Sequence, residues 1–346
     1  MAAARGAGKV RGLPSLNEAR AERRSAIVRG KYRLQGGLPQ RLFLWVAILL
    51  GVSGVVYWKL EEGRLESHKN AVRATQRTIA QALEPQVIPQ AERIEGLVKA
   101  LAAKVEPHVA DGFDLATIER APSIYLRLRQ RDATTTESIR KASAASLHDA
   151  FVACLFVRED APDPTKGPPC KHSGDCAPGL LCNEFYVCTL PPKPYNLRLA
   201  YRALDVLGTG WSDQLHETSN EFEVRMKQRE LEAVAHDDVP IAVQMMKSAK
   251  YLVAVLDEEP RAGLPPKLDP FETDEQRVQR VPHAARVGVW DLSDGSLELS
   301  FRAEVDGRLV TLGPRRNRTA TNDAAQQRQA NSCALALETK ERLRRK

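Results

Sequence analysis

Seventeen consecutive residues without a charge, LFLWVAILLGVSGVVYW at 42–58, constrain this 346-residue chain more than any other stretch. As a helix rising about 1.5 Å per residue, the run is roughly 26 Å long, enough for a thin bilayer. Trp45 lies near one end and Tyr57 and Trp58 at the other, where amphipathic rings favour the headgroup region. Residues 1–41 carry ten Lys or Arg against only Glu18 and Glu22, so this tail holds the net charge of +7 and the remainder is close to neutral. A 41-residue leader is too long for the basic segment of an ordinary cleaved signal peptide. The pattern predicts an uncleaved signal anchor running from Leu42 to Trp58, its basic tail (1–41) in the cytoplasm and its C-terminal body outside. The alanine-rich, arginine-over-lysine composition resembles that of proteins from GC-rich bacteria, which makes the outside compartment the periplasm beyond the inner (plasma) membrane.

The predicted partners follow from this topology. They are the lipid bilayer for residues 42–58, anionic lipid headgroups for the tail at about 1 kcal/mol per cation, and proteins of the cell envelope. A basic tail on a neutral body argues against nucleic acid.

Beyond the apolar run, residues 59–105 read as a helical, membrane-proximal stalk. Leu65, Val72 and Ile79 recur every seven residues, Pro85 and Pro89 break the first helix, and Ile94, Leu97, Val98, Leu101 and Val105 mark a second. The body, 106–346, is predicted to be α+β and mostly helical. Helices are expected at 114–130, at 137–157 behind a capping box at Thr134 and Glu137, at 196–208, at 219–250 and from 323 to 344. YLVAVL (251–256) reads as a buried strand. RVGVWDL, SLELSFRAEV and RLVTLG, joined by turns at Asp294-Gly295 and Asp306-Gly307, read as three more, giving a small antiparallel sheet. VWDLSDGSLELSF looks like part of a propeller blade, but no repeat accompanies it, so it predicts a hairpin alone.

Prolines 162, 164, 168 and 169 before it, and 191, 192 and 194 after it, set off a cysteine-rich insertion at 165–192. Within it CKHSGDCAPGLLCNEFYVC places Cys170, Cys176, Cys182 and Cys188 with five residues between neighbours. Structural zinc sites pair ligands two to four residues apart, and redox pairs are separated by two, so the spacing favours disulfides over metal or thiol chemistry. Four cysteines allow three pairings. The motif resembles the short C-x-S-x-x-C-x-x-G-x-x-C clips of bacterial envelope proteins and the first half of Dickkopf- and prokineticin-type cysteine-rich modules. That resemblance covers about twenty residues and implies Cys170–Cys182 and Cys176–Cys188, each closing a loop worth about 3 kcal/mol. The further cysteines of those modules are missing, so their signalling function does not carry over. Cys154 and Cys333 remain, each on a predicted helix; they either pair, tying the last helix to the helical body, or stay as two buried thiols.

Catalytic signals are weak. His216-Glu217 lacks the second histidine of a zinc-protease helix, and His236-Asp237-Asp238 reads as a helix-end cap or solvated turn. There is no G-x-S-x-G elbow, phosphate loop or dinucleotide fingerprint. Asn317-Arg318-Thr319 is a glycosylation triplet. The expectation is a non-catalytic, membrane-anchored scaffold or accessory subunit of an envelope complex, with no catalytic residues, cofactor or metal, acting by protein–protein contacts. The alternatives are a single-pass sensor signalling to its basic tail and, third, an enzyme without a recognisable motif.

Overall fold

The computed structural model describes the backbone from residue 40 onward, with side chains from residue 45, apart from 147–148, 157–162, 164, 178–179, 184, 191–193, 310–318 and 345–346. Expectations for the basic tail, for the side chain of Leu42, for the Asn317 triplet and for a strand through 310–313 lie outside the described residues. The chain divides into two compact units, Met1–Arg64 and Leu65–Lys346.

No helix among the described residues is long and apolar enough to cross a membrane. This overturns the transmembrane helix expected at 42–58, and with it the signal anchor and the single-pass inner-membrane location. The reason is length. The charge-free run ends after seventeen residues, between Arg41 and Lys59, short of the roughly 20 apolar residues a spanning helix needs. It forms the first turns of a 64-residue helix, α1 (Gln40–Ala103), on which Trp45, Tyr57 and Trp58 are exposed.

Helix α1 runs unbroken through Pro85 and Pro89, where the sequence predicted a break. The two prolines stand four residues apart and therefore share one side of the helix. Both are exposed, so the carbonyls they leave without an N–H partner face water instead of the core. The opposite side carries Leu83, Val87, Ala91, Ile94, Val98 and Leu101, all buried in the core.

The centre of Leu65–Lys346 is a six-stranded mixed sheet in the order β1-β8-β7-β6-β2-β5. Its strands are β1 (His108–Val109), β2 (Ser123–Arg129), β5 (Tyr195–Asn196), β6 (Tyr251–Asp257), β7 (His283–Asp291) and β8 (Leu297–Val305). β6, β7 and β8 form the antiparallel meander read from the sequence, but β2 lies parallel to both β6 and β5. The sheet is thus mixed rather than antiparallel. The expected helix at 114–130 is instead α2 (Leu115–Arg120) followed by β2. Gly307–Leu309, at the start of the expected third hairpin strand, is a short 3₁₀ turn.

Alternation along β2 and β6 sorts their side chains onto two faces. Ile124, Leu126, Leu128, Leu252, Ala254 and Leu256 pack with α1, α3 (Thr136–Ala145), α5 (Arg198–Val206) and α8 (Val239–Ser248). Tyr125, Tyr251, Val253 and Val255 turn the other way, onto α2, α4 (Phe151–Leu155) and α10 (Ala320–Arg344). Because both faces are covered, β2 and β6 are buried at every position. On β7 the Trp290 indole folds back over Gly288, where a Cβ would collide with the ring. The remaining helices are α6 (Thr209–Glu217), α7 (Glu221–Ala233) and α9 (Asp274–Gln279). A π-helical turn, Val234–Asp238, separates α7 from α8. In it Val239 N–H bonds to the Val234 carbonyl five residues back, and Pro240, with no N–H to donate, follows at once.

Candidate functional site: the disulfide clip and a buried charge network

All six cysteines are paired: Cys170 with Cys182, Cys176 with Cys188, and Cys154 with Cys333, at Cα separations of 5.8, 5.6 and 5.2 Å. The last of these joins α4 to α10. The sulfurs of Cys170, Cys176 and Cys188 lie close enough for a metal, but each is already bonded in a disulfide.

The clip is built on a two-rung hairpin, β3 (Leu181–Cys182) against β4 (Cys188–Thr189), with Cys182 directly opposite Cys188. The two bonds therefore leave one rung and return to Cys170 and Cys176 on the preceding loop. Gly167 passes so close to the Cys188 carbonyl that no Cβ fits there. The Asp175 carboxylate accepts the N–H groups of Lys171 and His172 at 2.9 and 3.0 Å, and these bonds hold its pKa below the ordinary value. Ser173 Oγ accepts from Cys182 N–H at 3.2 Å, tying the loop to the hairpin.

At the hairpin tip the Asn183 side chain accepts from the N–H groups of Phe185 and Val187. Tyr186 sits in the left-handed region, φ 57°, and its carbonyl accepts from Cys170 N–H at 2.9 Å. The turn leaves Phe185 and Tyr186 outward, 49% and 67% exposed, with Leu190 also exposed nearby. The inner end of the clip docks on the π turn. Asp237 accepts from Ser173 N–H at 3.2 Å and lies 3.3 Å from His172 Nδ1, and the His172 and His236 rings are 5.8 Å apart. His236-Asp237-Asp238, read from the sequence as a solvated helix end, is therefore the seat of the clip. Asp238 is buried beneath it; burial first, and then neighbouring Asp237, against the pull of Arg202 and Arg198, raises its pKa to about 6.

A second concentration of polar groups lies inside the body, on the α10 face of the sheet. Arg127 on β2 grips Asp257 at the end of β6 with two parallel bonds, Nε–Oδ2 at 2.8 Å and the second guanidinium nitrogen to Oδ1 at 2.9 Å. Its third nitrogen donates to Ser332 Oγ at 2.8 Å and lies 3.4 Å from Asp149. His283 Nε2 approaches Asp257 Oδ1 at 3.0 Å, while its Nδ1 donates to the Val281 carbonyl at 2.8 Å. Tyr125 donates to Asp149 at 2.8 Å and stacks on Phe151 with ring centres 5.7 Å apart. Burial alone would raise the Asp257 pKa, but Arg127 and then His283 hold it well below the ordinary value. Burial and then the Asp149 carboxylate push the Tyr125 hydroxyl far above its own. Such pairs cost desolvation and are retained only when every lone pair and proton finds a partner; here the carboxylates and the guanidinium are each bonded several times.

None of these network residues stood out in the sequence. Arg127 and Asp257 are 130 residues apart, and the one local signal was a polar residue at every second position of SIYLRLR, the pattern of a strand rather than a helix. No family, curated protein or solved structure matches this chain.

Proposed function

We propose that this protein is a non-catalytic scaffold or accessory subunit that works through protein contacts, with the disulfide clip as its contact element. The observation that carries the reading is the Phe185–Tyr186 pair, exposed at the tip of a hairpin whose base is crossed by two disulfides. Aromatic anchors supply much of the binding energy at protein interfaces, and a contact loop already rigid loses little entropy on docking. Tyr186 supports the same reading, since a non-glycine left-handed residue costs about 1 kcal/mol and such strain concentrates at binding elements. In the buried network both ring nitrogens of His283 are engaged and Ser332 Oγ is held by Arg127, which supports the non-catalytic reading.

The test is photocrosslinking in the source cell with p-benzoylphenylalanine placed at Tyr186 and, as a control, at exposed Phe222 on α7. A discrete adduct from position 186 that is absent from position 222 and lost in Phe185→Ala supports the reading. The same adducts from both positions, or none from the clip, would sink it.

A further inference from the structure

A polar cleft of about 560 Å³ opens beside the Arg127 network, between α4, α5, α9 and α10. Its walls include Asp149, Arg198, Gln276, Arg328, Gln329 and Ser332. That volume lies within the range of small-molecule sites, and the lining has a consistent chemical sense.

The acidic group in the wall already has partners on both oxygens. Asp149 Oδ2 takes the Tyr125 hydroxyl and Oδ1 takes Phe151 N–H at 2.7 Å, with Arg127 behind it. Gln279 donates its amide to Asp257, and several of the other polar groups are donors in want of acceptors. Arg198 Nε is buried with no hydrogen-bond partner; Asp238 feels its charge but lies 3.7 Å from Arg202. Arg328 has only Glu272, at 4.0 Å, and that carboxylate is held by Arg280 at 2.9 Å. Gln276 spends its carbonyl oxygen on Thr273 N–H, which leaves its amide protons free. Ser332 Oγ accepts from Arg127, so its own proton is available to the cleft. An orphaned buried donor costs free energy that a ligand oxygen would recover.

We propose that this cleft binds a small oxyanion, a carboxylate- or phosphate-bearing molecule, clasped between the guanidinium groups of Arg198 and Arg328 and oriented by Ser332 and the two glutamines. Guanidinium forks match carboxylate and phosphate oxygens two at a time, and a part-buried setting strengthens the charge-assisted bonds. In the floor Arg127 is shared between Asp149 and Asp257, so the positive charge offered to a guest is that of Arg198 and Arg328. This is independent of the clip, which lies elsewhere in the chain and carries none of these residues.

Isothermal titration of the whole oxidised protein at fixed ionic strength tests it, with inorganic phosphate and succinate as separate probes and putrescine as the cationic control. Saturable binding of either anion, with none for putrescine, is the expected result; which anion binds more tightly identifies the group recognised. Arg198→Gln and Arg328→Gln should each weaken it about tenfold, the loss of one charge-assisted contact. Arg229→Gln, the same charge change on an exposed turn of α7, should leave it intact, and thermal melts confirm that each variant is folded. If neither anion binds saturably, or if the Arg198→Gln/Arg328→Gln double variant binds like the parent, the assignment is overturned.

Discussion

Replacing Cys154 and Cys333 together by alanine removes the bond that closes the longest loop in the chain. The partners are 179 residues apart, and the segment between them contains β5 to β8 of the large sheet, the clip and all the helices from α5 to α9. The entropy that such a link withholds from the unfolded chain grows with the logarithm of loop length. It comes to about 5 kcal/mol for this bond and about 3 kcal/mol for each clip disulfide, whose partners are 12 residues apart. In the folded protein little else changes, because α4 and α10 still meet through Phe151, Leu155, Leu335 and Ala336. Urea unfolding of the oxidised proteins, followed by the fluorescence of buried Trp211 and Trp290, measures the difference. The Cys154/Cys333 variant should lose roughly 5 kcal/mol and the Cys170→Ala/Cys182→Ala variant clearly less. A smaller loss for the long loop than for the short one would refute the entropic reasoning and place the value of these bonds in local packing.

Three further outcomes follow. Asp238 has a folded-state pKa of about 6, above its unfolded value near 3.8, so its stabilising share is complete below about pH 4 and is lost as the pH rises through about 6; Asp238→Asn should therefore gain roughly 2–3 kcal/mol on the parent between pH 4 and pH 7.5 in urea titrations, and an unchanged offset would contradict the burial argument. Arg127→Met strips Asp257 and Asp149 of their buried cation and should cost about 3–5 kcal/mol, whereas a loss under 1 kcal/mol would mean the network is solvated. Tyr186→Gly relieves the left-handed strain and should stabilise the protein by about 1 kcal/mol, read as a raised melting temperature; a lowered melting temperature would show that the ring is packed rather than presented.

The parts of the fold legible in the sequence are those governed by local pattern. β6 announces itself as a short apolar run and the β7–β8 hairpin through an Asp-Gly turn, in which Gly295 takes φ 86°. The cysteine spacing was equally local. β2 was misread because its flanks carry helix formers; the alternation of its arginines is a strand pattern, but only the partner strand shows that the face they share is buried. The unbroken course of α1 also escaped, since a proline's cost depends on whether its orphaned carbonyl meets water, and exposure is a tertiary fact. The apolar run misled for a different reason: seventeen residues between Arg41 and Lys59 are few for a bilayer. The cleft had no sequence signature at all, because its donors come from three helices, α5, α9 and α10.

The parallel pairing of β2 with β6 sets a problem of timing. On a ribosome adding about 5–20 residues per second, Arg127 emerges on the order of ten seconds before Asp257, which lies 130 residues later. During that interval β2 has no long neighbour, and an apolar strand with an open edge is a template for aggregation. Arg127 and Arg129, buried in the finished sheet, are charged and solvated in the waiting chain. The same two side chains that anchor the interior thus guard the nascent strand until β6 arrives to claim them.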